Sequence, residues 1–151
     1  MTRRQTVPEQ WLIIDPTSDR PARSSLRLLP RGGGLLLLHA PGSSEERRVR
    51  RLGRVRRLKV LTEGPRTAAR VHNLRELRKA LLRRTPLVLI SPIYRTSSHP
   101  DWQPLPRMRA AMLARFAGRK AIALGGMNRK RYAKIAPLGF IGWAGISAFR
   151  T

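Results

Sequence analysis

The 151 residues contain no cysteine. This excludes disulfides, thiolate metal sites and a cysteine nucleophile, and suits a reducing compartment. Acidic residues are scarce, 8 Asp and Glu against 32 Lys and Arg, for a formal net charge of +24. Aromatic residues make up 5%, too few for an evident stacking platform for single-stranded nucleic acid. No apolar run approaches the length of a membrane span, and residues 35–38 are typical in falling far short of it. Met1-Thr-Arg-Arg4 is basic, but Trp11-Leu-Ile-Ile14 is too short for the apolar segment of a secretory signal. The expectation is a cytoplasmic protein.

What is present supports a packed core. Hydrophobic residues are 41% of the chain, which argues against disorder throughout. The length suits a single domain over residues 1–151, with a loose basic start at 1–10, but is short for a complete (β/α) barrel. A surface this basic attracts polyanions non-specifically. The basic residues run from Arg3 to Arg150 without gathering in a tail, and Arg heavily outnumbers Lys. That distribution favours a solvated arginine-rich surface over a specific nucleic-acid partner.

Apolar runs bounded by turn residues and separated by helix-like stretches predict buried parallel strands. Strands are expected at residues 10–15, 35–39, 57–62, 67–72, 85–91, 120–126 and 140–147. Helices are expected at 22–29, from Ser43-Ser44-Glu45-Glu46 to about 57, at 73–84, 106–117 and 128–136. In the second of these, Val49, Leu52 and Val55 recur at threes among arginines and read as the buried stripe of a helix on a sheet. Asn73 is a good N-cap with Glu76 at the capping-box position, and Leu74, Leu77 and Leu81 are expected on one face. Met108, Met112 and Phe116 recur at fours in the fourth helix.

One connection breaks the alternation. Only Glu63-Gly-Pro-Arg66 separates the third and fourth strands, whereas a parallel crossover needs about a dozen residues or more. The two strands form a hairpin, or one lies outside the sheet, or a βα unit has been lost. The fold class expected is α/β, a shortened or incomplete (β/α)8 TIM-type barrel with about seven strands. An open barrel edge would favour a homodimer.

Parallel α/β sheets place their ligands at the carboxyl ends of the strands. Gly125-Gly126 and Gly145-Ile146-Ser147 fall there, after the last two strands, where bare backbone amides can cradle phosphate. His39, His72 and His99 also fall at strand ends; with no acid pattern nearby, a zinc site is not favoured.

Four stretches in order carry a resemblance. They are Val71-His72-Asn73-Leu74-Arg75-Glu76-Leu77, Ser91-Pro92-Ile93-Tyr94-Arg95-Thr96-Ser97-Ser98-His99, Ala121-Ile122-Ala123-Leu124-Gly125-Gly126-Met127 and Gly142-Trp143-Ala144-Gly145-Ile146-Ser147. Over residues 72–147 the chain resembles the thiamine phosphate synthase family, with its related thiazole tautomerases, and over the N-terminal half only faintly. The resemblance implies a barrel that binds a thiazole phosphate. Gly126, Ile146 and Ser147, with Gly125 beside them, match its phosphate cradle. Thr96 and Ser98 match hydroxyls on the thiazole side. The family reaction couples that thiazole to a hydroxymethylpyrimidine diphosphate with magnesium (Mg2+), as a transferase of thiamine biosynthesis.

The departures fall on the pyrimidine-diphosphate side. Thr62-Glu63-Gly64 replaces the family's Asn-Asp and leaves Glu63 as the one weak metal candidate, since magnesium needs hard oxygen ligands. Leu38-His39-Ala40 lacks the Arg-Glu-Lys group, and His99 stands where the family has lysine. These losses suit the tautomerase branch, which needs a base and an anion site but neither metal nor diphosphate. The resemblance puts His72 at a position where a tautomerase carries its histidine. His72 and His99 are the candidate catalytic residues, and a non-catalytic ligand- or polyanion-binding remnant of the fold is the further alternative.

Overall fold

The computed structural model describes residues 7–15, 23–38, 44–97 and 99–149, with the backbone alone of 23, 24, 45 and 147. Seven strands are present: β1 (Gln10–Ile14), β2 (Gly34–Leu37), β3 (Lys59–Thr62), β4 (Ala68–Val71), β5 (Leu87–Ile90), β6 (Ala121–Leu124) and β7 (Gly142–Gly145). Helices α1 (Arg23–Leu28), α2 (Ser44–Val55), α3 (Leu74–Leu82), α4 (Arg107–Ala117) and α5 (Arg129–Ile135) occupy every strand-to-strand connection except that between β3 and β4.

All neighbouring strands are parallel, in the order β3-β2-β1-β7-β6-β5-β4. This is the cyclic order of a (β/α) barrel. The first and last strands pair directly, Gln10 with Trp143, Trp11 with Ala144 and Leu12 with Gly145. The two outermost strands, β3 and β4, are the ones consecutive in sequence. The architecture is a curled, shortened barrel.

The short connection is explained by stagger. In register, Lys59 aligns with Gly34, Gly34 with Trp11, Trp11 with Ala144 and Ala144 with Leu124. One row lower, Ala123 aligns with Ile90 and Ile90 with Val71. The row that begins β3 thus passes just above the row that ends β4. Closing a sheet into a barrel requires such an offset to accumulate around the curl, and here it sets the end of β3 beside the start of β4. The chain therefore needs no crossover. Residues 63–67 turn tightly, with Gly64 and Ala68 exchanging backbone hydrogen bonds of 3.0 and 3.1 Å. Thr67 Oγ1 donates to the Thr62 carbonyl, and the fully buried Thr85 Oγ1 donates to Pro65 O at 2.7 Å. The strands make no hairpin; both belong to the sheet, and no helical unit stands between them.

Strand alternation divides the core in two. Trp11, Ile13, Leu36, Leu38, Leu87, Leu89, Ile122 and Ala144 fill the interior of the curl. Leu12, Ile14, Leu35, Leu37, Val88, Ile90 and Trp143 point outward, into a layer shared with the helices. Gly34 is required by the interior, because a Cβ there would lie 2.1 Å from the Trp11 ring. Trp11 in turn donates Nε1–H to Pro8 O at 2.8 Å.

Three expected stripes turn out differently. On α2, Val49 is buried, but Val55 is 77% exposed. On α4 the helix buries Ala110, Leu113, Ala114 and Ala117, while Met108, Met112 and Phe116 face solvent at 80%, 38% and 61% exposure. Alanines at 110, 114 and 117 let the helix approach β5 closely, and that close face wins over the bulkier one. On α3, Leu77 is buried whereas Leu74 is 37% exposed.

Candidate functional site at the strand C-termini

The interior of the curl is packed with Leu, Ile and Trp below, and a cavity of about 360 Å³ opens above it, at the carboxyl ends of the strands. Its floor is apolar, formed by Ile13 of β1, Leu38 just after β2, Leu124 of β6 and Ile146 just after β7. Its rim is polar, with Arg70, Asp15, His72, Ser91, Thr96 and His99. Strand alternation puts Arg70 and His72 on the interior face of β4, in line with the buried Ala68 below them. Ser91, buried, continues the interior row of Leu87 and Leu89 on β5, and Asp15 that of Trp11 and Ile13 on β1.

His72 is held by α3. Asn73 caps that helix, its side chain accepting from Glu76 N at 2.9 Å. Glu76 does not complete the expected reciprocal box with the cap residue. Its Oε2 instead accepts from the backbone N–H of His72 at 2.7 Å and lies 3.0 Å from His72 Nδ1. In the neutral ring this partner places the proton on Nδ1 and leaves Nε2 with its lone pair. Nε2 is buried and has no hydrogen-bond partner among the described residues. Partial burial pushes the Glu76 carboxyl upward. The backbone N–H, the side-chain hydrogen bond and the charge of His72 outweigh it, so the carboxyl sits below its usual value.

The segment after β5 forms the opposite wall. Trp102 stacks flat against His99, with ring centroids 4.1 Å apart and 10° between planes. It meets His72 edge-on at 5.5 Å and 86°. One indole thus links two histidines from different segments into an aromatic rim. Thr96 lines the same wall.

The glycine pair after β6 divides its work. Gly125 lines the cavity. Its φ is +104°, and a Cβ there would come within 3.0 Å of Pro92 Cα, so no larger residue fits. Gly126 faces away from the cavity, where a Cβ would fall 2.2 Å from the Arg95 carbonyl. The pair therefore seats the 92–95 backbone against β6, with Ile93 N donating to Leu124 O and Tyr94 N to Gly125 O at 3.0 and 3.1 Å. Arg131, from α5, donates to Gly126 O and lies over the Tyr94 ring at 4.7 Å.

Among the expected site residues, His72, His99, Thr96, Gly125 and Ile146 come together at this mouth. Gly126 packs beside it, Ser147 begins the short turn Ser147–Phe149 that follows β7, and Ser98 and His39 lie outside the described residues. Glu63 does not reach the cavity; it lines a cleft at the β3–β4 seam. Arg70, Asp15, Ser91 and Trp102 were not expected. Arg70 was legible as the position two before His72 on one strand face. Trp102, between Pro100 and Pro104, carried no periodic signal at all.

The magnesium that the resemblance implies does not fit the residues present. Glu63 Oε1 accepts from Arg70 Nε at 2.7 Å and Oε2 from Arg70 Nη2 at 3.3 Å, so both oxygens are engaged by a cation of the chain itself. Among the described residues no three carboxylate or imidazole groups converge. No described helix is long and apolar enough to cross a membrane.

Seven parallel strands curled into a barrel with a cavity at their carboxyl ends define the class: a shortened α/β barrel with its site at the usual mouth. No family model matches the sequence, and no curated protein matches it. Solved structures do. A thiamine phosphate pyrophosphorylase from Pyrococcus furiosus is similar over 93% of this chain and 86% of its own, with a TM-score of 0.72 and 15% identity. A second, from Bacteroides thetaiotaomicron, is similar over 94% and 84%, with a TM-score of 0.55 and 14% identity. At such identities the likeness is one of fold.

Proposed function

We propose that this chain is a divergent thiamine phosphate synthase-like protein of thiamine biosynthesis, working in the cytoplasm, that binds a phosphorylated thiazole in the mouth cavity. The observation that carries the reading is the meeting of Thr96, Gly125, Ile146 and His72 around one cavity at the strand carboxyl ends, on a fold shared along most of its length with a thiamine phosphate pyrophosphorylase. The apolar floor suits a flat heterocycle, and the hydrogen-bond donors of the polar rim, Arg70 among them, suit its phosphate. The family reaction would join this thiazole to a hydroxymethylpyrimidine diphosphate.

A coupling assay with both substrates tests the reaction, and calorimetry with the thiazole phosphate tests the binding. Micromolar binding of the thiazole phosphate supports the reading; an absence of heat under every ionic condition overturns it. Binding without turnover would reduce the chain to a ligand-binding member of the fold.

A second reading has its own observation. His72 has one nitrogen held by Glu76 and the other buried without a partner among the described residues, the arrangement of a base whose orientation is fixed from behind. Under this reading His72 moves a proton on a thiazole carboxylate phosphate, as a tautomerase would. His72→Ala would then abolish exchange of the ligand's proton with solvent, about 100-fold or more, while thiazole phosphate still binds. Unchanged exchange in that variant would eliminate the tautomerase reading.

A further inference from the structure

We infer that the anionic end of the ligand is bound by the edge of the Arg70 guanidinium that Glu63 leaves free, and not by a divalent cation. This rests on the reading that the mouth cavity takes a phosphorylated ligand. Three observations support it. Arg70 lines the mouth cavity from the interior face of β4. Its guanidinium is fixed by the two-point contact with Glu63 across the seam, at 2.7 and 3.3 Å. The same contact takes both carboxylate oxygens that a cation would otherwise use, and no cluster of three ligating groups exists among the described residues.

The chemistry of the fork makes this work. A guanidinium carries five N–H donors in one plane, and Glu63 occupies Nε and one hydrogen of Nη2. The remaining donors, both of Nη1 and one of Nη2, stay available to a phosphate or diphosphate oxygen. Holding one edge of the fork reduces the side-chain entropy lost when the other edge meets an anion. A metal at this place would have to displace Arg70 from Glu63 and then bind beside an uncompensated guanidinium.

The test is calorimetry of the full chain with inorganic pyrophosphate near physiological salt, in EDTA and in magnesium. The expected result is binding that persists in EDTA, within about threefold of the magnesium value. Arg70→Gln should weaken it by about tenfold or more, the loss of a charged hydrogen-bonding donor. Arg115→Gln, the same charge change on the exposed face of α4, should weaken it by less than about twofold, since exposed charges act weakly at a distance. Binding that disappears in EDTA, an Arg70→Gln effect no larger than that of Arg115→Gln, or no pyrophosphate binding in either buffer would each overturn the inference. Should Arg70→Gln fail to fold, the EDTA comparison on the unaltered chain decides alone. Thiazole phosphate that binds only with magnesium would sink this inference and leave the functional reading intact. EDTA-insensitive pyrophosphate binding with no affinity for thiazole phosphate would do the reverse.

Discussion

The curled sheet is joined at two places, and by different means. Between β1 and β7 the joint is a backbone ladder of three registered pairs, reinforced by Trp143 N donating to Glu9 O at 2.8 Å. Between β3 and β4 the seam is made of a tight turn, the Gly64–Ala68 exchange and the Glu63–Arg70 ion pair. A backbone ladder depends on close approach and is indifferent to which side chains point away from it. A seam held by side chains depends on charge. The glycine pair of the mouth is fitted to the backbone that follows β5, and Arg70 of the rim lies at the second joint. The half of the site legible as glycines is therefore the half fixed by backbone geometry.

The sharpest way to break this contrast is to crowd the ladder. A Cβ at Gly142 would sit 2.5 Å from Glu9 O, a backbone atom that is itself hydrogen-bonded and cannot swing aside. Gly142→Ala should cost about 2–3 kcal/mol, the usual penalty of overpacking, seen as a lower urea midpoint at unchanged slope. A loss under about 0.5 kcal/mol, that of an ordinary surface change, would mean that the β1–β7 joint is looser than described.

The seam should respond less and differently. Its pair is partly exposed, with side-chain exposures of 31% for Arg70 and 16% for Glu63. Glu63→Gln should cost about 1 kcal/mol. A double-mutant cycle with Arg70→Gln should give a coupling that shrinks as salt is added. A coupling insensitive to salt would place the seam's stability in the turn alone.

Smaller still is the acid response of Glu76. Its carboxyl lies below the unfolded value of 4.5. Its contribution is therefore present above that value and is lost as pH falls through the lower folded one. Glu76→Gln should flatten the acid limb of the stability curve in this window and leave neutral-pH pyrophosphate binding in place. An unaltered limb would show that the His72–Glu76 contact does not persist in solution. The least effect belongs to α4, far from either joint. Phe116→Ser, at a position 61% exposed, should change stability by no more than about 0.5 kcal/mol. A larger loss, by the same urea titration, would mean that the apolar stripe is covered.

The strands were legible because most are short apolar runs closed by turn residues, and all seven stand within a residue or two of where the sequence puts them. The helices were legible in extent but not always in orientation. Met108, Met112 and Phe116 have the spacing of a buried stripe, yet small alanines on the opposite side let α4 sit closer to the sheet. Dispersion favours the closer face. In the site, His72, Thr96, Gly125 and Ile146 could be named from sequence since each ends a strand or lies in a loop just after one. Gly126 packs beside the cavity, its positive φ serving the close approach of the Arg95 carbonyl. Trp102 could not be foreseen, as its role comes from two rings it meets only after folding.

Local periodicity and turn residues were enough to specify the number and kind of elements, the parallel α/β class and the end of the sheet at which chemistry belongs. Where the two edges of the curl meet was settled only by the folded chain. Stagger accumulates over all seven strands, so no local stretch could reveal that the end of β3 meets the start of β4, or that Arg70 would find Glu63 there.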